Sequence, residues 1–212
     1  MIPLSDATRR PVRFPIATAA IILANAAAFA LELQGGDAAV TRWCVVPAEV
    51  SAGHHLITVL TAMFMHGSWS HILGNMVFLW AFGPEIEDAM GSRRYLAFYI
   101  AGGIAAMLAQ VAADPGSTVP CLGASGAIAA VMGAFLVTYP GDQIKVLLFF
   151  GWFFKVTFAP AAVLIGVWFL TQLLSVGVVA EVHTGGIAYL AHVGGALFGV
   201  ITARLFEDTR RS

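Results

Sequence analysis

Charge is scarce in this sequence. Only 11% of its 212 residues are Asp, Glu, Lys or Arg, where an ordinary soluble domain carries roughly a quarter. The 11 basic and 12 acidic residues nearly cancel, so there is no basic field to attract nucleic acid. The two cysteines, Cys44 and Cys121, are too few for a disulfide framework or a zinc site. Low-complexity tracts and fixed-period repeats are absent. What is abundant is apolar surface: 59% of the residues are hydrophobic and the mean hydropathy is +0.84. A water-soluble fold has too little polar surface here to cover its core, and disorder is excluded by the same numbers. The composition is that of an integral membrane protein.

About 20 apolar residues cross a bilayer as a helix. Six segments meet this loosely, near Phe14–Leu33, Trp69–Gly83, Tyr95–Ala113, Leu122–Tyr139, Pro160–Ala180 and Gly185–Phe206. The expected fold is therefore all-α, a polytopic bundle of six transmembrane helices. It occupies residues 14–206 between tails 1–13 and 207–212. The run after the first basic cluster has no small-residue cleavage site and reads as a retained span. Two apolar stretches are short for a span, His55–Met65 and Val146–Phe154, the latter closed in by Lys145 and Lys155. They are expected as interfacial or re-entrant pieces packed against protein. With six spans, Arg9, Arg10, Arg13, Arg93, Arg94, Lys145, Lys155, Arg204, Arg210 and Arg211 fall on one side, and only Arg42 on the other. The positive-inside rule makes the first side, with both termini, cytoplasmic.

Polar side chains inside spans are costly and need a reason. His71 and Asn75 lie early in the second span, Ser125 early in the fourth and His192 early in the sixth. All three spans enter from the outside, so the four residues are expected at one depth, in the outer part of the membrane. Taken singly, each has an ordinary explanation: a cap, interhelical glue, a satisfied histidine. Their shared depth points to a common site. Gly195 and Gly199 follow His192 on its face, and Ala129 and Gly133 follow Ser125 on its own. Small-residue faces let helices approach closely, which would bring Ser125 to His192.

A serine hydroxyl becomes a nucleophile when a base takes its proton, and histidine is the usual base. No Asp or Glu lies in any span at matching depth, so the expected unit is a Ser125–His192 dyad. An oxyanion would be met by Asn75, by His71 and by the backbone N–H of Ser125 at a helix N-terminus. Gly123 and Gly126 flank the serine and allow a substrate backbone to approach. Hydrolysis needs water, so the site must open towards the outside.

The strings HGSWSHILGNM (66–76), GASGA (123–127) and AHVGGALFG (191–199), in that order on alternate spans, resemble the rhomboid intramembrane serine proteases. The segment 82–103 is similar to the connection between the second and third spans of that family. The resemblance implies a Ser125 nucleophile, a His192 base, and oxyanion partners His71 and Asn75. It implies that His66 is a structural histidine holding the first outer loop. It implies no metal or cofactor, substrates that are single-span membrane proteins, and a lateral gate involving Trp168, Phe169, Gln172 and the 180–186 loop. Two positions differ from the family pattern. The first outer loop has Arg42-Trp43 where bacterial members carry the reverse order. Ala129 stands where some members place a tyrosine on the histidine ring, so His192 must be oriented by another group or held more loosely.

The competing readings are a catalytically silent relative that binds membrane clients, and a small transporter using the histidines and Asn75 as a polar path. The short tails and lack of a transit peptide lead to the expectation of a bacterial plasma membrane. Cys44 and Cys121 both fall on the outer side, where they could pair.

Overall fold

The computed structural model describes residues 1–179 and 189–208. Six long helices dominate: α1 (Ile16–Trp43), α4 (Trp69–Met90), α5 (Ser92–Ala113), α6 (Ser125–Thr138), α7 (Ala161–Val179) and α8 (Tyr189–Phe206). Two short ones, α2 (Pro47–Ser51) and α3 (Thr58–Thr61), and a 3₁₀ turn at Ala62–Phe64 lie between α1 and α4. Among the described residues, three helical stretches are long and apolar enough to cross a membrane: Ile16–Gly36, Ser92–Ala113 and Tyr189–Phe206. The chain is thus a mostly helical membrane protein. α4 carries Glu85, Glu87 and Asp88 in its last two turns, and α6 has only 14 residues.

The fold is not purely α-helical. Strands β1 (Ile2–Asp6), β2 (Gln143–Phe150) and β3 (Phe153–Pro160) form an antiparallel sheet in the order β1-β2-β3. The stretch Val146–Phe154, expected as an interfacial or re-entrant piece, is most of a hairpin. β2 and β3 pair from Gln143↔Pro160 to Phe150↔Phe153, leaving Gly151-Trp152 as a two-residue turn. Gly151 has φ 61°, which such a turn requires at its first central position. β-Branched and aromatic residues favour this pleated form over a helix. Ile144 and Val146 point into the core, while Phe153, Phe154 and Phe158 stay exposed. The N-terminal segment, expected as a tail, supplies β1, paired with β2 through Ile2↔Leu147 and Asp6↔Ile144.

α6 is the central helix. Every residue from Gly126 to Phe135 is buried, as expected of a helix that is apolar all round. Its most extensive partner is α8. A Cβ added at Gly195 would strike the carbonyl of Gly126, one at Gly199 that of Ala130, and one at Gly133 that of Ala196. The two backbones therefore touch, with glycine supplying the clearance. Gly126 does the same towards α5, where an added Cβ would come within 2.6 Å of Ala106.

The other end of the molecule is closed by ions and caps. Glu87 of α4 accepts the backbone N–H groups of Ala17 and Thr18 at 2.8 and 2.7 Å, and the Thr18 hydroxyl at 2.8 Å. Its buried carboxylate caps α1, whose own N-cap residue, Pro15, makes no side-chain cap. Arg9 donates to both carboxylate oxygens of Asp142 and stacks 3.8 Å above the Tyr139 ring. Cys44 and Cys121 are buried free thiols. The backbone of Cys121 pairs with Val45.

Gly199→Val should lower stability by about 1–3 kcal/mol or more, because α8 must move off α6. Gly166→Ala on α7, where an added Cβ meets nothing within 4 Å, should be neutral or mildly stabilising. Thermal unfolding in detergent compares the two, and an unchanged midpoint for Gly199→Val would refute the contact. The Arg9 guanidinium holds the Asp142 carboxyl below its ordinary value. The stabilisation is then present above about pH 4 and lost as pH falls below it. Arg9→Gln should lower the unfolding midpoint by about 2–4 °C at neutral pH, and by less in acid. An equal loss at both pH values would contradict the assignment.

Candidate active site

The start of α6 is set by the loop before it. Gly123 has φ 124°, a backbone conformation that residues with a Cβ rarely adopt. Its N–H donates to the Ala62 carbonyl at 2.8 Å, tying the loop to the 3₁₀ turn. The helix then opens at Ser125, three residues later than the span edge expected at Leu122. The N–H of Ile128 makes the bond to Ala124 at 3.0 Å. The N–H groups of Ser125, Gly126 and Ala127 precede it in the first turn and lack intrahelical partners.

Ser125 Oγ lies 2.6 Å from Nε2 of His192, one turn into α8. The other ring nitrogen, Nδ1, lies 2.6 Å from Oε1 of Gln172 on α7. The imidazole is flanked by Trp168, at 5.7 Å between ring centroids and 42°, and by Tyr189, at 6.3 Å and 89°. Trp168 and Gln172, expected in a lateral gate, thus both touch His192. Phe169 is half-buried on α7. The 180–186 loop lies outside the described residues. Ala129 is fully buried at the α6–α8 contact, where an added Cβ on Gly195 would come within 3.3 Å of its methyl.

α4 brings the remaining groups. Ser68 caps it, its side chain accepting the N–H of His71 at 3.2 Å. His71 Nε2 lies against Gly123, where an added Cβ would come within 2.8 Å. The missing side chain at 123 therefore leaves room for the His71 ring beside the serine loop. Asn75 is buried, with Nδ2 3.0 Å from His66 Nε2. His66 Nδ1 faces the Phe64 carbonyl at 3.3 Å. Asn75 carries a second amide N–H and a carbonyl beyond this bond.

Sequence reasoning missed two residues. Glu32 is buried at the C-terminal end of the first apolar run, next to the loop before α4, contrary to the expectation that no Asp or Glu lies in a span near the serine. Its carboxylate accepts the backbone N–H of His66 at 3.0 and 3.1 Å. It supports the loop before α4 and is bonded to His66, not to His192. Glu32 stands one residue from the expected edge Leu33, while the helix runs on to Gly35 before breaking at Gly36. Gln110 of α5 accepts the N–H of Ala191 at 3.3 Å, beside His192. A lone acid and a lone amide in apolar runs were the available signals. Among the described residues no group of three or more His, Cys, Asp or Glu side chains could hold a metal ion.

The sequence has known relatives. A family profile of the Rhomboid domain matches residues 53–208. The chain belongs to the rhomboid family. It is 30% identical over 151 residues to Rhomboid protein 1, mitochondrial, of Saccharomyces cerevisiae, covering 68% of this chain and 40% of that protein. It is 28% identical over 151 residues to the human Presenilin-associated rhomboid-like protein, mitochondrial, covering 67% and 36%. It is 33% identical over 114 residues to Rhomboid protease GluP of Bacillus subtilis, covering 51% and 21%. The match spans two fifths or less of the length of these curated relatives. The rhomboid profile takes in Ser125, His192, His71, Asn75 and His66, and leaves α1 with Glu32 outside.

Glu32→Ala would leave the buried His66 N–H without its acceptor. It should lower stability by about 1–3 kcal/mol, read as a fall in the unfolding midpoint. An unchanged midpoint would show that the carboxylate does not hold this loop.

Proposed function

We propose that this rhomboid protein is an intramembrane serine endopeptidase, hydrolysing peptide bonds in or near the transmembrane segments of single-span membrane proteins. The observation that carries the reading is the 2.6 Å contact between Ser125 Oγ and His192 Nε2. In this mechanism His192 takes the hydroxyl proton as Oγ attacks the scissile carbonyl. The oxyanion that forms is met by the backbone N–H of Ser125, the second amide N–H of Asn75 and the His71 ring, each worth roughly 3 kcal/mol where its geometry is right. His192 then gives the proton to the leaving amine. Water attacks the acyl-enzyme, again with His192 as base, and frees the serine.

The reading includes six crossings, by α1, α4, α5, α6, α7 and α8, with both termini cytoplasmic. The one-sided distribution of basic residues supports it. α6 is about 21 Å long, less than the ~30 Å hydrocarbon core. Enclosed by protein, it can end below the outer surface and place Ser125 where water enters from that side.

A fluorophosphonate probe should label the purified protein, and Ser125→Ala should abolish labelling. Labelling that never appears, or that survives the substitution, would favour a silent, client-binding relative. Asn75→Ala should slow turnover of a single-span reporter substrate by ~10²-fold. An unchanged rate would remove Asn75 from the oxyanion site.

A further inference from the structure

A histidine base is competent only in one tautomer, and nothing in the Ser125 contact selects it. To accept the serine proton, Nε2 must carry a lone pair, so Nδ1 must carry the hydrogen. His192 is 9% exposed, so that N–H needs an acceptor within the protein. Gln172 Oε1, at 2.6 Å, is in place to accept it. We propose that Gln172 is the positioning residue of the base, its side-chain carbonyl fixing the Nδ1–H tautomer of His192 and the plane of its ring. This rests on the protease reading above and adds to it a group that the Ser–His pair does not contain.

The local hydrogen bonds agree with the carbonyl end of the amide facing the ring. The Thr171 hydroxyl donates to the Trp168 carbonyl at 2.6 Å. Its oxygen can then accept the Gln172 amide N–H, 3.4 Å away, which turns the Gln172 carbonyl oxygen towards Nδ1. Trp168 lies one turn before Gln172, on the same face of α7, with its ring 5.7 Å from the imidazole. One helix face therefore supplies both a wall for the ring and an acceptor for its N–H. Ala129 has only a methyl group and supplies neither.

The test uses the full chain, with a single-span reporter substrate. Gln172→Leu removes the acceptor and should lower kcat about 100-fold, with KM within about twofold, because the wrong tautomer cannot accept the serine proton. Gln172→Glu restores an acceptor and should recover kcat to within about tenfold of the native value. A purely packing role would not distinguish these two variants in that order. The 15N spectrum of His192, assigned by its loss in His192→Ala, should show the Nδ1–H form in the native protein. In Gln172→Leu, or in Gln172→Met should the leucine variant not fold, a substantial Nε2–H fraction should appear. An unchanged tautomer, or a kcat loss that Gln172→Glu does not relieve, would overturn the proposal. The spectrum needs no turnover, so the tautomer result stands apart from the Ser125 labelling result that tests the protease reading.

Discussion

The structure depends on the backbone-to-backbone approach of α6 and α8. Lipid tails are as apolar as leucine, so membrane helices gain little by hiding apolar side chains from lipid. What holds them is close packing, and packing is closest where side chains are smallest. Gly126, Ala130 and Gly133 on one helix meet Gly195, Ala196 and Gly199 on the other, with carbonyl oxygens lying where a Cβ on Gly133, Gly195 or Gly199 would have to go. That contact sets the helix separation, and the separation sets the span from Ser125 Oγ to His192 Nε2. A larger side chain at one of these positions acts on the polar pair without touching it.

Around that contact, polar groups are satisfied in a chain that crosses several elements. Glu32 on α1 holds the backbone of His66, the His66 ring meets Asn75 on α4, and His71 on α4 rests against Gly123 at the mouth of α6. On the far side, Gln172 on α7 meets the remaining nitrogen of His192. The hydrogen-bonded links among these remove unpaired polar groups from a low-dielectric interior, where they would be expensive. The result is a site whose parts come from six different segments yet are held against one another.

The end of the molecule bearing the N-terminus is organised by different means. There the sheet, the Glu87 cap on α1 and the Arg9–Asp142 pair join segments that are distant in the chain. The hairpin also explains the failure of the all-helical expectation. Nine residues between two lysines, eight of them apolar, are ambiguous by hydrophobicity alone. The deciding features were Gly151 at the centre, which accepts the turn conformation, and the β-branched and aromatic residues on both sides. β1 carried no such signal, since five residues become a strand only when another edge is offered to them.

The sequence by itself determined the membrane class, the six apolar segments that become the six long helices, and the polar residues that stand out within them. Those features are local: each apolar run must satisfy its own backbone as a helix, and a lone Ser, His or Asn in such a run is visible by contrast. It also carried the small-residue faces, because helical periodicity can be read along one segment. Only the tertiary structure decided which nitrogen of His192 meets which partner, that Glu32 supports the His66 loop, and that the first residues join a sheet. These depend on distances between segments, set by how closely backbones pack, and no spacing along the chain encodes them.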